Sequence, residues 1–172
     1  MLKILFILIL SLSAIADTFV VQSKLSKINF SVDKLFFIGV DGEFTKFKGK
    51  IVVEDNKVST INGRVDATSV NTYNKDRDED LKGNGYFETT EFKYIDFKAI
   101  GIDEQELQAT ITIKGITKKI KFTIDEMKLE STKITLKISS VVNRQDFLLD
   151  GPFGSVISNN VKVSASLFAY IE

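Results

Sequence analysis

The chain has 172 residues, 44% of them hydrophobic, with 23 basic and 23 acidic side chains. The absence of His and Cys excludes a Ser-His-Asp triad, a cysteine nucleophile, disulfide cross-links and the usual structural zinc sites, leaving stability to hydrophobic packing. A formal net charge of zero gives no electrostatic footing for nucleic acid or an anionic membrane surface, and the length suits a single domain with a real core.

Residues 1–16 stand apart from that core. Lys3 supplies a short positive region, Ile4 to Leu12 is apolar apart from Ser11, and Ala14-Ile15-Ala16 fits a small-x-small cleavage pattern. The expectation is a secretory signal over residues 1–16, cut before Asp17, and a mature domain over residues 17–172. The apolar run is too short to span a bilayer, and no later stretch replaces it.

From Phe19 onward a period of two recurs, the signature of half-buried strands. Ile28, Phe30 and Val32 share one face, with Asn29, Ser31 and Asp33 on the other. Leu35-Phe36-Phe37-Ile38 is apolar without alternation, after which Val40 to Phe44 and Phe47 to Glu54 resume extended patterning around Gly42 and Gly49. Asp55-Asn56 predicts a hairpin turn into Lys57 to Asp66.

Ser69 to Phe87 is the one long polar insertion. Asn71, Asn74 and Asp76 suit turn and cap positions, and Lys75 to Lys82 predicts about two helical turns closed by Gly83 and Gly85. Arg77 and Asp78 are adjacent, so they face different ways and need not pair. The segment reads either as a solvated link between two halves of a sheet or as a helical cap over the mouth of a barrel, with Asn74 and Arg77 near whatever enters.

Beyond it, Ile95, Phe97 and Ala99 alternate with Asp96 and Lys98, and a turn follows at Asp103 to Glu106. Leu107, Ala109, Ile111 and Ile113 form one face of a strand, Gly115 to Lys118 reverses the chain, and Ile120, Phe122 and Ile124 return. This is the clearest hairpin. Lys133 to Val142 points Ile134, Leu136 and Ile138 inward, and a last strand from Val161 towards Ile171 does the same with Val163, Ala165 and Leu167. Between them lie Arg144, Asp146, Phe147 and a turn at Asp150-Gly151-Pro152-Phe153-Gly154. The fold class is therefore all-β, mainly antiparallel, with roughly eight strands. Periodicity alone leaves sandwich and closed barrel both open.

Five segments, in order, resemble the YceI-like family of periplasmic polyisoprenoid-binding proteins across essentially the whole mature chain: Ser26 to Val32; Val40-Asp41-Gly42-Glu43-Phe44 with Phe47 and Gly49; Ser69-Val70-Asn71-Thr72 with Arg77-Asp78, Leu81 and Tyr86-Phe87; Gly115 to Lys118; and Asn143-Arg144-Gln145-Asp146-Phe147. The chain departs from the family pattern where Lys34 and Asp80 stand at positions that often hold His; their opposite charges suggest that the two lie close together. The resemblance implies a lipocalin-like extended β-barrel, a periplasmic location and a long apolar ligand. At about 0.3 kcal/mol per heavy atom, a chain of about 40 carbons would reach about 12 kcal/mol, roughly nanomolar, as an upper guide.

On this reading the protein is a carrier of a long-chain lipid: a polyisoprenoid, an isoprenoid quinone or a fatty-acid-like amide. The candidate wall residues are Phe30, Val32, Phe44, Phe47, Ile95, Phe97, Ile111, Ile113, Phe122, Ile124, Leu136, Ile138 and Phe147. Asn74, Arg77 and Arg144 are candidates for a polar head, the competing reading for each Arg being a structural ion pair with Asp78 or Asp146. No catalytic or metal-binding residue is assigned, and no cofactor is required beyond the lipid. Nucleic acid is not an expected partner, and a homodimer is left open. Two other functions compete: an enzyme acting on such a lipid through Asp76, Asp78, Glu79 or Asp80, and a stress or secretion factor acting through a protein partner.

Overall fold

Hairpins dominate because the residues between strands accept left-handed backbone. Asp55 and Asn56 adopt φ of 49° and 59°, and Lys114 and Gly115 adopt 51° and 71°, the paired left-handed conformation that matches the twist of flanking antiparallel strands. The second turn is thus Lys114-Gly115 rather than Gly115 to Lys118, since Ile116, Thr117 and Lys118 already pair with Ile113, Thr112 and Ile111.

The computed structural model describes residues 16–34, 38–152 and 154–172. The expected signal segment up to Ile15, the Leu35-Phe36-Phe37 run, the side chain of Lys34 and Phe153 lie outside the described residues, and with them the expected approach of Lys34 to Asp80.

The elements run β1 (Ala16–Val21), β2 (Lys27–Lys34), β3 (Ile38–Phe44), β4 (Phe47–Glu54), β5 (Lys57–Asp66), β6 (Val70–Asn71), α1 (Lys75–Lys82), β7 (Tyr94–Ile102), β8 (Glu106–Ile113), β9 (Ile116–Leu129), β10 (Lys133–Asn143) and β11 (Ile157–Ile171). Strands β1-β4-β5-β7-β8-β9-β10-β11 form an antiparallel ring, closed by pairing of β11 with β1. The fold is therefore an all-β, lipocalin-like barrel of eight staves with one short helix, and the sandwich alternative falls away.

Three staves are bent and continue above the ring. β11 pairs with β1 near its C-terminus (Val21 opposite Ala169) and with β2 nearer its N-terminus (Val32 opposite Val161), so β1 and β2 are two halves of one stave. β4 and β3 likewise break at Thr45-Lys46, and β5 and β6 break at a 3-10 turn over Ala67–Ser69. The breaks sit side by side and are tied: the Thr45 N–H donates to the Ser69 carbonyl at 3.2 Å, and the Lys46 N–H donates to Ser69 Oγ at 3.0 Å.

The ring is solid. Phe19, Ile51, Leu107, Ala109, Ile134, Leu136 and Ala169 are buried within it, with Phe147 closing over them. Each fully buried Leu, Ile or Phe contributes about 1.5–3 kcal/mol, and these side chains replace the disulfides the sequence lacks. The bent upper halves enclose something different.

Candidate functional site: an apolar chamber beneath the helix

Register places two inward rows across the upper sheet. Ser140, Val163, Phe30 and Gly42 lie side by side, and Val142, Val161, Val32 and Val40 form the next row up. The Phe30 ring lies on Gly42, where an added Cβ would collide with its Cζ. Phe30 and Phe44 stand 5.6 Å apart, as do Phe44 and Phe87.

Of these, Phe30, Val32, Phe44, Phe87, Val142, Val161 and Val163, with Leu81, Tyr86, Ile95, Ile113, Arg144, Phe147, Leu149 and Ile157, line an inner cavity of about 140 Å³. An outer cavity of about 330 Å³ shares Phe30, Val32, Leu81, Tyr86 and Ile157 with it and adds Val40, Asn74, Asp76, Arg77 and Asp80. The two adjoin, giving an apolar chamber whose mouth has a polar rim on α1.

The sequence builds that rim locally. Asn74 caps α1, its side-chain oxygen accepting the Arg77 N–H at 3.0 Å; Asp76 and Asp78 occupy the first turn and Lys82 the last, each on the end its charge favours. Buried Thr72 then organises the helix. Its N–H and hydroxyl donate to Asp78 Oδ1 at 2.7 and 2.6 Å, while Arg77 donates through Nε to Thr72 Oγ1 at 2.8 Å and through Nη2 to the Thr72 carbonyl at 2.7 Å. Arg77 and Asp78 thus meet through Thr72.

Arg144 is 4% exposed and donates all five N–H groups within the protein: Nε to the Ser158 carbonyl, Nη1 to the Leu149 carbonyl and Asp150 Oδ1, Nη2 to the Gly154 carbonyl and Asn159 Oδ1. It has no donor left for a head group. Its ion-pair partner is Asp150 at 2.9 Å, whereas Asp146 is exposed on the 3-10 turn Arg144–Phe147. The ion-pair reading of Arg144 thus stands with its partner corrected, Asp150 in place of Asp146.

The wall residues divide by depth. Phe30, Val32, Phe44, Ile95, Ile113 and Phe147 line the chamber. Ile111, Phe122, Leu136 and Ile138 are buried in the solid ring, with Phe47, Phe97 and Ile124 packed against it. On the clearest hairpin only Ile113 faces the chamber; Ile111, Phe122 and Ile124 belong to packing below it. Sequence reasoning missed Leu81, Tyr86, Phe87, Val142, Leu149, Ile157, Val161 and Val163 as wall. Val161 and Val163 were legible from alternation, and Tyr86-Phe87 as an apolar pair closing the polar insertion.

Tyr86 is held by two glycines. Gly85 adopts φ 84°, and Gly151 lies so close that a Cβ there would collide with the Tyr86 ring. Among the described residues no helix is long and apolar enough to cross a membrane, and no group of three or more Asp or Glu is arranged to hold a metal.

Comparisons agree with this architecture. A YceI-like domain profile matches residues 19–169. A UPF0312 protein of Staphylococcus aureus (strain N315) is 26% identical over 154 residues, covering 82% of this chain and 90% of that one. Among solved structures, Burkholderia cenocepacia BcnA superposes with a TM-score of 0.76 at 14% identity, over 86% of this chain and 98% of that one. A polyisoprenoid binding domain from Saccharophagus degradans, implicated in plant cell wall breakdown, gives 0.72 at 18%, over 90% and 98%. A YceI protein of Campylobacter jejuni gives 0.67 at 20%, over 80% and 88%. With the profile spanning nearly all of the barrel, the chain belongs to the YceI-like family.

Proposed function

We propose that the protein is a binding or carrier protein that takes the apolar chain of an isoprenoid or fatty-type lipid into the chamber and leaves the polar end at the α1 rim. The observation that carries this reading is the inner cavity, walled by hydrophobic side chains and the stem of an Arg whose donors are all used, adjoining an outer cavity with polar side chains of α1 on its rim. Apolar pockets with a few polar groups at one end hold such ligands by burial and orient them by the rim. Polyisoprenoid binding by a structural relative supports the same class of ligand.

Carriage fits the rim better than turnover does. Asp78 is engaged by Thr72 and Glu79 by Lys82, and Asp76 and Asp80 stand at the outer cavity's rim on a short helix with no buried residue, whereas acid-base catalysis uses carboxylates buried deep enough to be perturbed. The proposal includes export to the periplasm, with residues 1–16 removed before Asp17.

The test is native mass spectrometry of protein recovered from an exporting host, before and after organic extraction. The expected result is a chain beginning at Asp17 that carries an extractable apolar lipid. A chain retaining Met1 would remove the export assignment; protein that holds no lipid and binds no added apolar probe would remove the carrier.

A further inference from the structure

The outer face of the wall that carries Phe30 is hollowed by a groove distinct from the chamber. It encloses about 740 Å³, within the range of about 300–1,000 Å³ typical of ligand sites, and lies across β9, β10, β11, β2 and β3. Register explains its floor. Thr123, Ser139, Ser164, Asn29 and Glu43 stand opposite one another in one unbroken outward row, and Lys162, Ser31 and Asp41 form the next. Strands lie about 4.8 Å apart, so the first row runs about 20 Å across the sheet. Strands favour bulky β-branched and aromatic residues. Ser139, Ser164, Asn29 and Ser31 are short instead, and the face above them is concave.

Tyr73 stands at the β3 end of the groove, 77% exposed, at φ 60°. That left-handed backbone is unfavourable for a bulky side chain. Its N–H donates to Asn71 Oδ1 at 3.1 Å and its hydroxyl to Glu43 Oε1 at 3.0 Å, while Asn71 Nδ2 donates to the same carboxylate oxygen at 3.2 Å. Three hydrogen bonds thus fix an aromatic ring in water, against its backbone preference. Burial within the protein does not account for that; a ligand face laid on the ring does.

The lining also says which ligand. Asp41 and Glu43 balance Lys121 and Lys162, so the groove favours neither anions nor cations. Tyr73 and Val141 are the large hydrophobic side chains exposed on it among the described residues, too few for an apolar partner. What remains is a floor of hydroxyl and amide groups that donate and accept, with an aromatic face at one end. That is the complement of a sugar chain, whose hydroxyls do both and whose ring C–H faces are apolar. We propose that this groove binds a neutral oligosaccharide, laid across the strands with one sugar stacked on Tyr73. The site does not rest on the carrier reading, because its floor is the opposite face of the sheet from the chamber wall.

The test is calorimetric titration of the full chain with hexamers of β-1,4-linked glucose, xylose and N-acetylglucosamine, with heparin as a polyanion for comparison. Expected is saturable binding of at least one hexamer, unchanged between about 0.05 and 0.5 M salt. Tyr73→Ala weakens it at least about tenfold, or about 1.4 kcal/mol, and Tyr73→Phe, which keeps the ring, weakens it less. Ser164→Lys lays a long side chain over the floor and blocks binding, which decides the matter if the Ala variant does not fold. Circular dichroism and Tm establish folding for each variant. Binding of no hexamer, or binding that folded Tyr73→Ala and Ser164→Lys leave unchanged, overturns the proposal. Heparin bound more tightly than every hexamer, and released by salt, overturns it in favour of a polyanion.

Discussion

Lys114 and Glu88 form an ion pair, Nζ to Oε1 2.7 Å, that pins the β8–β9 turn to the loop carrying two chamber residues, Tyr86 and Phe87. Glu88 adopts φ 48° and also accepts the Gly85 N–H at 3.1 Å, so one carboxylate fixes the turn and the backbone beside Tyr86 together. The hydrogen bond from Lys114, and then that from Gly85, hold the Glu88 carboxyl below its ordinary value of 4.5. A carboxyl lowered on folding adds stability that is present above 4.5 and lost as pH falls through the folded value. Glu88→Gln should therefore lower Tm at neutral pH and flatten the fall of Tm on the acid side of 4.5. Thermal melts of both proteins across that range check it; parallel acid profiles would show that Glu88 is not the coupled group.

The contact of Phe30 with Gly42 is equally specific. A methyl group at Gly42 would collide with the tip of the Phe30 ring, and Phe30 lines both cavities. Gly42→Ala should push the ring into the chamber, costing about 1–3 kcal/mol as overpacking does and reducing uptake of an apolar fluorescent probe. A variant with wild-type Tm and wild-type uptake would mean that the ring swings clear without cost.

Arg144 is predicted to act on stability. Lysine supplies three donors on one nitrogen and cannot reach five acceptors spread from Leu149 to Asn159. Arg144→Lys should leave at least one acceptor in this pocket unpaired, at about 1–3 kcal/mol each, lowering Tm by roughly 2–4 °C per kcal/mol. Limited proteolysis should then cut between Leu148 and Asn160 faster than in the wild type, and equal cutting would contradict the assignment.

What the sequence made legible was local. Asn74 and the charges of Lys75 to Lys82 define the helix without help from the rest of the fold, and Asp55-Asn56 defines its turn. Depth was not legible, because alternation reports which face a side chain takes and not whether that face meets packing or space. Ile111 and Ile113 have the same chemistry and face, yet one is core and the other chamber wall. The partner of Arg144 was hidden for a related reason: the 3-10 turn carries nearby Asp146 outward, and Asp150 returns through the loop. The shared use of β11 by β1 and β2 depends on the break at Gln22 to Ser26, which reads in sequence as an ordinary loop.

Those two isoleucines give the sharpest test of where packing ends. Ile113→Phe places extra volume into the cavity of about 140 Å³, which can absorb it; Tm should change little while uptake of an apolar probe falls. Ile111→Phe puts the same volume into packed core, one row lower and beside Phe97. There the chain must shift to make room, at about 1–3 kcal/mol, or roughly 2–4 °C of Tm per kcal/mol in a domain of this size. The pair shares a strand, a face and a substitution, so propensity and solvent exposure of the new ring largely cancel between them. Equal losses of Tm at both positions would mean that the chamber is filled core and that the barrel has no room for a ligand.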